Sequence, residues 1–387
     1  MKNLLAPRRR ARLAQRGLYT FYSQAAGPDI FRSDGAIDLG PGMPQTEPAG
    51  EFAVRIEPQI LRDSFGRVFF TRTGIHFARK HSSQKRLGGA MAKIRTVTLC
   101  ADDYGLSYGV SAGILEALRA GRLSAVSVLT NGPRWPAMGT ELLRGGFDAD
   151  IGLHFNLTLG GPLSVMPLFA PNGRFPEISE VVRGAMRKKL PLKEIRAEID
   201  RQIDRFEAVM GRPPDFVDGH QHVQALPGIR EALFDALAER KLEGKCWLRD
   251  SGDAPHRIFW RGGPVKKALI VRGLSSGFRR MARRRGFVVN DGFAGYSDFN
   301  PGQDYARQFA GFLSAPGRRH LIMCHPGHVD EDLRAQDPVT VTREQELAFL
   351  LSPRFAEMLE SRRFILGRLS VAAGQCNTTA EKSIAAR

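Results

Sequence analysis

The residues best equipped for chemistry are an adjacent carboxylate pair and a set of histidines. Asp102 and Asp103 close the apolar run Thr-Val-Thr-Leu-Cys-Ala over 96–101, and His154 ends a later run. His220 and His222 stand in Asp-Gly-His-Gln-His (218–222), and His325 and His328 in Cys-His-Pro-Gly-His (324–328). Taken singly, each has an ordinary explanation. Asp102 or Asp103 can cap the helix that begins near Gly109, and a lone histidine at a strand end is usually structural. The set is harder to explain by packing, because burying several titratable groups without partners costs several kcal/mol. Imidazole and carboxylate side chains that meet form the ligand set of a divalent transition metal or magnesium. The spacing is not H-E-x-x-H, in which one helix supplies both imidazoles, so the ligands have to come from separate strands.

Those strands are legible as short apolar runs at 95–101, 124–130, 149–154, 215–218, 245–249, 286–290, 319–324 and 363–366. Between them lie 3.6-residue apolar rhythms: Val110, Ile114, Leu115 and Leu118 in the first, closed by Gly121, and Ile195, Ile199, Ile203, Phe206 and Met210 in the longest. Repeated βα units predict an α/β fold around a parallel sheet. In a parallel barrel the strand ends share one face. That face would also collect Asn131, Arg249, Asp250, Asn290 and Asp291. The Gly- and Pro-rich stretch 160–191 breaks the rhythm and is expected to overhang this face and cover substrate.

Four motifs, Ala-Asp-Asp-Tyr-Gly-Leu-Ser (101–107), Gly-Leu-His-Phe-Asn-Leu-Thr (152–158), Asp-Gly-His-Gln-His (218–222) and Met-Cys-His-Pro-Gly-His (323–328), stand in a telling order. In order and approximate spacing the chain resembles, over about 94–369, the YdjC-like carbohydrate deacetylases, which include chitooligosaccharide and hopanoid-biosynthesis deacetylases. The resemblance implies a distorted (β/α) barrel of about seven to eight parallel strands. It also implies metal-dependent removal of the acetyl group from an N-acetylated sugar, an oligosaccharide or a glycolipid, giving acetate and a free amino sugar. One divalent ion is expected, magnesium or zinc, with manganese and cobalt also suited to such ligands. Residue by residue, Asp103, His154 and His220 match the metal ligands, Asp102 the catalytic base, and His325 a histidine assigned as general acid. Tyr104, Asn131, Asn156, His222, Arg249, Asp250, Asp291 and His328 are assigned to substrate contact or to support of the ligands. Gln221 and Gln224 stand where related sequences often carry further histidines, which would alter the hydrogen bonds around the ligands.

Composition sets the outer bounds. The chain has 387 residues, 42% of them hydrophobic, enough for one large or two ordinary domains. It has no run near the roughly 18 apolar residues of a membrane helix. Its four cysteines, Cys100, Cys246, Cys324 and Cys376, include no C-x-x-C pair, which argues against a disulfide framework and fits a reducing, cytoplasmic setting. The formal charge of +17 is uneven, with +8 in residues 1–90 alone. Arg8, Arg9, Arg10, Arg12 and Arg16 form a basic arm without the apolar core of a secretory signal. With Met91 just ahead of the first strand, residues 1–90 read as an extension from an upstream start, 91–371 as the deacetylase barrel domain, and 372–387 as a disordered tail.

A second cluster, Arg279, Arg280, Arg283, Arg284 and Arg285, reads as a solvated helix end or as a patch for phosphate or an anionic lipid head group. Too few aromatic residues interleave with the charges for nucleic acid to be the expected partner. A small carbohydrate or glycolipid is, with peripheral membrane contact and homo-oligomerisation left open. Three rival functions compete. One is an acid-base glycosidase pairing Asp102 with Asp250 or Asp291, which leaves the histidines without a task. The others are a metallo-phosphoesterase and a non-enzymatic protein that binds nucleic acid or a membrane surface through its charge.

Overall fold

A computed structural model describes residues 94–372, so the expected extension over 1–90 and nearly all of the expected tail lie outside the described residues. The described chain holds nine strands: β1 (Arg95–Tyr104), β2 (Ala125–Val128), β3 (Asp150–Phe155), β4 (Phe216–Gly219), β5 (Trp247–Leu248), β6 (Val288–Val289), β7 (Gly292–Ala294), β8 (His320–Cys324) and β9 (Phe364–Leu366). All pairings are parallel, in the order β6-β5-β4-β3-β2-β1-β8-β7, with β9 on β1.

The two ends of that order are consecutive in the chain, joined by Asn290 and Asp291, with β6 paired to β5 and β7 paired to β8. A single kinked stave therefore brings the sheet round on itself, where the run 286–290 predicts one strand. Its second half escaped the sequence reading because Gly292-Phe293-Ala294 is short and opens on glycine. Asn290 braces the kink: its amide donates to the carbonyls of Asp250 and Gly292, and its Oδ1 accepts from the Asp250 amide. The result is the distorted (β/α) barrel.

Helices cover the outside. They are α1 (Tyr108–Arg119), α2 (Trp135–Arg144), α3 (Ile178–Met186), α4 (Leu192–Met210), α5 (Ile229–Glu239), α6 (Pro255–Arg261), α7 (Val265–Leu274), α8 (Phe278–Arg284), α9 (Tyr305–Phe312), α10 (Glu331–Gln336), α11 (Val341–Leu351), α12 (Pro353–Ser361) and α13 (Leu369–Ala372). Among the described residues no helix is long and apolar enough to cross a membrane. Ser107, whose Oγ accepts from Val110 N at 3.2 Å, caps α1. The carboxylates of Asp102 and Asp103 are thus left for other work.

Strand alternation sorts the core into two sets. Val97, Leu99 and Ala101 of β1, Val126 and Val128 of β2, Ile151 and Leu153 of β3, and Ile322 and Cys324 of β8 pack with the helices. Cys100, Ala125, Phe216, Trp247, Phe293, Leu321 and Met323 fill the barrel interior. Phe216 and Trp247 stack there at 4.1 Å between ring centroids, and a Cβ on Gly152 would come within 2.4 Å of the Phe216 ring. Only glycine fits at that point of β3. Two residues further along five of these inward rows the side chains turn polar: Asp102 follows Cys100, Ser127 follows Ala125, Asp218 follows Phe216, Arg249 follows Trp247 and His325 follows Met323. The apolar plug thereby supports a polar layer at the carboxyl ends of the strands.

The 160–191 stretch is folded rather than open. Met166, Phe169, Phe175 and the α3 residues Ile178, Val181, Val182 and Ala185 are buried. Carboxylates of α4 hold its backbone: Glu198 accepts from Leu163 N, and Glu194 from Leu168 N and Phe169 N.

Candidate metal centre and active site

A regular strand would aim Asp102 into the barrel and Asp103 at the helices. β1 avoids this with a bulge: Ala101 pairs with Val126 and Tyr104 with Val128, so one extra residue lies on β1. Asp103 absorbs it with φ of 70°, a left-handed conformation that aspartate tolerates better than most side chains. Gly105 follows at φ +93, where a Cβ would stand 2.8 Å from the Leu129 carbonyl oxygen. Both carboxylates consequently enter the polar layer.

There Asp103 Oδ1 lies 3.0 Å from His220 Nδ1 and 3.3 Å from His154 Nε2. Ligand atoms bound at about 2.1 Å to one ion, at tetrahedral to octahedral angles, stand roughly 3.0–3.4 Å apart. The donor set and its spacing therefore fit a divalent ion. The second oxygen of Asp103 accepts from Arg343 Nη2 of α11 at 2.8 Å, and the same nitrogen donates to Asp337 at 2.8 Å. Burial alone would raise the Asp103 carboxyl, but Arg343 and His220 override it and hold the group well below the carboxylate range.

His154 is held from behind. Its Nδ1 is 2.7 Å from Asp218 Oδ1 and 2.9 Å from Ser127 Oγ, and Ser127 donates to the same carboxylate. This leaves Nε2 to face Asp103 and reproduces the carboxylate-histidine support common behind metal ligands. Burial disfavours the imidazolium, yet Asp218 and Asp103 outweigh it and push His154 up to about 10, so a metal at Nε2 would displace a proton.

Asp102 belongs to a second network. Both its oxygens accept from Arg249, Nη1 and Nη2 each at 2.6 Å, and Arg249 Nη2 also lies 2.5 Å from Asp218 Oδ2. Cys100, Asp102 and Asp218 also cluster closely enough to hold a metal, but the Arg249 guanidinium already sits among them, 3.1 Å from Cys100 Sγ. Burial would raise the Asp102 carboxyl; Arg249 instead takes it down to about 2. His325 lies near both aspartates, its ring against Phe299 at 5.3 Å, and burial pushes it down to about 4 although Asp102 and Asp103 oppose. Its backbone N–H donates to Glu346 of α11 at 2.6 Å.

The other residues assigned to substrate contact or to support of the ligands make the following contacts. Tyr104 is fully buried and donates to the Met138 carbonyl at 2.8 Å, because it follows the bulge and points back among the helices. His328 is exposed and pairs with Glu116 at 3.0 Å on the surface. Asn131 and Asn156 bond each other and the carbonyls of Leu159 and Gly161, shaping the loop after β3. His222 meets Ser251 Oγ at 3.1 Å within the rings of Phe293 and Tyr296. Asp250 pairs with Arg279, and Asp291 with the backbone and guanidinium of Arg319. Cys100, Cys246 and Cys324 are free and buried; Cys376 lies outside the described residues.

Sequence reasoning left unassigned Asp218, Ser127, Arg343, Asp337 and Glu346. Asp218 stood inside a quoted motif. Arg343 and Glu346 had one signal: they share positions i, i+3, i+4 and i+7 with Leu347 and Leu350, placing charge on the apolar face of a helix.

The YdjC-like protein family model matches residues 96–361. The chain is 30% identical over 286 residues to a chitooligosaccharide deacetylase of Escherichia fergusonii, covering 70% of this chain and 97% of that protein. It is 32% identical over 269 residues to a chitooligosaccharide deacetylase of Yersinia pestis bv. Antiqua, covering 69% and 95%. Among solved structures, a protein of Enterococcus faecalis V583 put forward as acting in cellobiose-phosphate cleavage shares the fold at TM-score 0.55 and 21% identity, over 72% of this chain and 99% of that one. The chain belongs to the YdjC-like family.

Proposed function

We propose that the protein is a metal-dependent deacetylase that hydrolyses the acetamide of an N-acetylated amino sugar, releasing acetate and the free amine. The carrying observation is the convergence of Asp103 with His154 and His220 beside a second, separately held carboxylate. The names of the relatives favour a chitooligosaccharide-type substrate. Asp103, His154 and His220 would hold one divalent ion, magnesium or zinc, whose chemistry is Lewis-acid activation of water and of the acetamide carbonyl.

The chain's own residues then divide the proton work. Asp102 is kept ionised and fixed in orientation by Arg249, so it accepts the proton of the attacking water. His325, neutral at pH 7 with its imidazole held near 4, must first be loaded with that proton before delivering it to the departing nitrogen. Hydroxide adds to the acetyl carbon, the C–N bond breaks, and the amine leaves with the proton.

The glycosidase reading is disfavoured because Asp250 and Asp291, its candidate second carboxylates, are engaged by Arg279 and Arg319. The test is metal analysis of the purified protein with an acetate-release assay on N-acetylated chitooligosaccharides. Chelation should abolish turnover, and Asp102→Asn should keep the metal while losing most activity. Acetate release that survives complete metal removal would overturn the reading, and phosphate release from phosphoesters in its place would support the phosphoesterase.

A further inference from the structure

A cavity of about 810 Å3 opens beside the strand end that carries Arg249, walled by residues 250–255, the end of α7 and α8. Five arginines line it, Arg272, Arg279, Arg280, Arg283 and Arg284, with the two acids Asp250 and Asp253. Both carboxylates are already neutralised: Asp250 pairs with Arg279 at 2.9 Å, and Asp253 with Arg261 at 2.7 Å and Arg257 at 3.3 Å. Among the described residues Arg272, Arg280, Arg283 and Arg284 have no carboxylate partner. A merely solvated basic helix face would spread such charges over a convex surface; here they share one concavity.

An independent observation points the same way. Ser275, 4% exposed, lines this cavity, and its buried Oγ has no hydrogen-bond partner among the described residues. A buried hydroxyl without a partner costs free energy that a ligand accepting its proton would recover. Planar guanidinium forks match phosphate oxygens, and charge-assisted contacts of this kind are roughly twice as strong as neutral ones.

We propose that this cavity is a binding site for a phosphate group, with Arg280, Arg283 and Arg284 as its cationic rim and the Ser275 hydroxyl as a donor from its wall. Its volume exceeds that of a bare phosphate and suits a phosphorylated small molecule or a phospholipid head group. The site is separate from the metal ligands, and the proposal does not depend on the deacetylase reading.

The full chain is titrated calorimetrically with pyrophosphate at constant ionic strength, and sedimented with vesicles of phosphatidylcholine alone or mixed with phosphatidylglycerol. The same is done for Arg280→Gln/Arg283→Gln/Arg284→Gln and for Ser275→Ala, with melting temperature as the check on folding. The wild type should bind pyrophosphate or the phosphatidylglycerol vesicles. The triple variant should bind at least about tenfold more weakly, equivalent to about 1.4 kcal/mol, and Ser275→Ala several-fold more weakly. Pyrophosphate binding without vesicle binding identifies a soluble phosphate source; vesicle binding that pyrophosphate competes away identifies the lipid. Binding of equal strength in wild type and triple variant, or binding of neither probe, overturns the proposal.

Discussion

Replacing Arg249 by methionine tests whether the proposed base and the support of the proposed ligand His154 form one electrostatic unit. Arg249 is fully buried and compensates two buried carboxylates at once, Asp102 through two contacts of 2.6 Å and Asp218 at 2.5 Å. Methionine preserves much of the stem volume but leaves both acids without a cation. Breaking a buried ion pair by removing one partner costs about 3–5 kcal/mol, which at roughly 2 °C per kcal/mol for a domain of this size lowers the melting temperature by about 6–10 °C. Burial, the largest influence on Asp102, would then raise its carboxyl against only the weaker pull of His154 and His325, and acetate release should fall by about 10²–10⁴. The deciding comparison is Arg249→Met/Asp102→Asn/Asp218→Asn, which removes the stranded charges together with their partner. It should regain most of the lost melting temperature and remain inactive, since neutral replacements of buried ion triads are often tolerated. A single Arg249→Met protein as stable as wild type, or a triple variant no more stable than the single, would refute the reasoning.

Asp218→Asn removes the charge behind His154 Nδ1 and should weaken metal uptake by about 10–100-fold, measured by titration with a competing chelator. Tyr104→Phe should cost about 1 kcal/mol of stability in chemical denaturation, through loss of the 2.8 Å bond to Met138, and leave turnover unchanged, since the phenol lies among the helices. His328→Ala should alter neither metal content nor turnover, because its contact with Glu116 is a surface pair. Glu346 gives a pH signature. Burial raises its carboxyl from 4.5 to about 7, so the folded state favours the protonated acid. Its contribution is fully present below about pH 4.5 and is lost as pH rises through 7, a fall of about 3 kcal/mol. Glu346→Gln should flatten that part of the stability profile measured by denaturation across the window.

The barrel was legible because most strands are apolar and followed by a helical rhythm, and because parallel strands buried on both faces need no polar alternation. The kinked stave from β6 to β7 was not, since two- and three-residue strands joined through Asn290 and Asp291 carry almost no periodic signal. Motif residues that meet across the barrel, Asp103 with His154 and His220, stood out by residue type. Their supports did not: Arg343 reaches Asp103 from 240 positions away, and nothing local to Asp103 specifies it. Residues such as Tyr104 and His328 sit inside motifs yet face away from the polar layer, which adjacency in sequence cannot reveal.

The bulge at Asp102 and Asp103 explains how two adjacent acids can do different work. Without it, one would face the barrel and the other the helices, and the helix-facing acid would be a buried charge against apolar neighbours. With it, both enter the polar layer but meet different cations: Arg249 from inside the barrel takes both oxygens of Asp102, while Arg343 from α11 takes only one oxygen of Asp103. The free oxygen of Asp103 is the one that faces the two imidazoles. Left-handed backbone at a non-glycine residue costs on the order of 1–3 kcal/mol, and here that strain is held in place by the Arg343 contact and the two histidines. The asymmetry between one acid gripped by a fork and another gripped at a single oxygen is what suits the first to the proposed proton transfer and the second to the proposed ion binding.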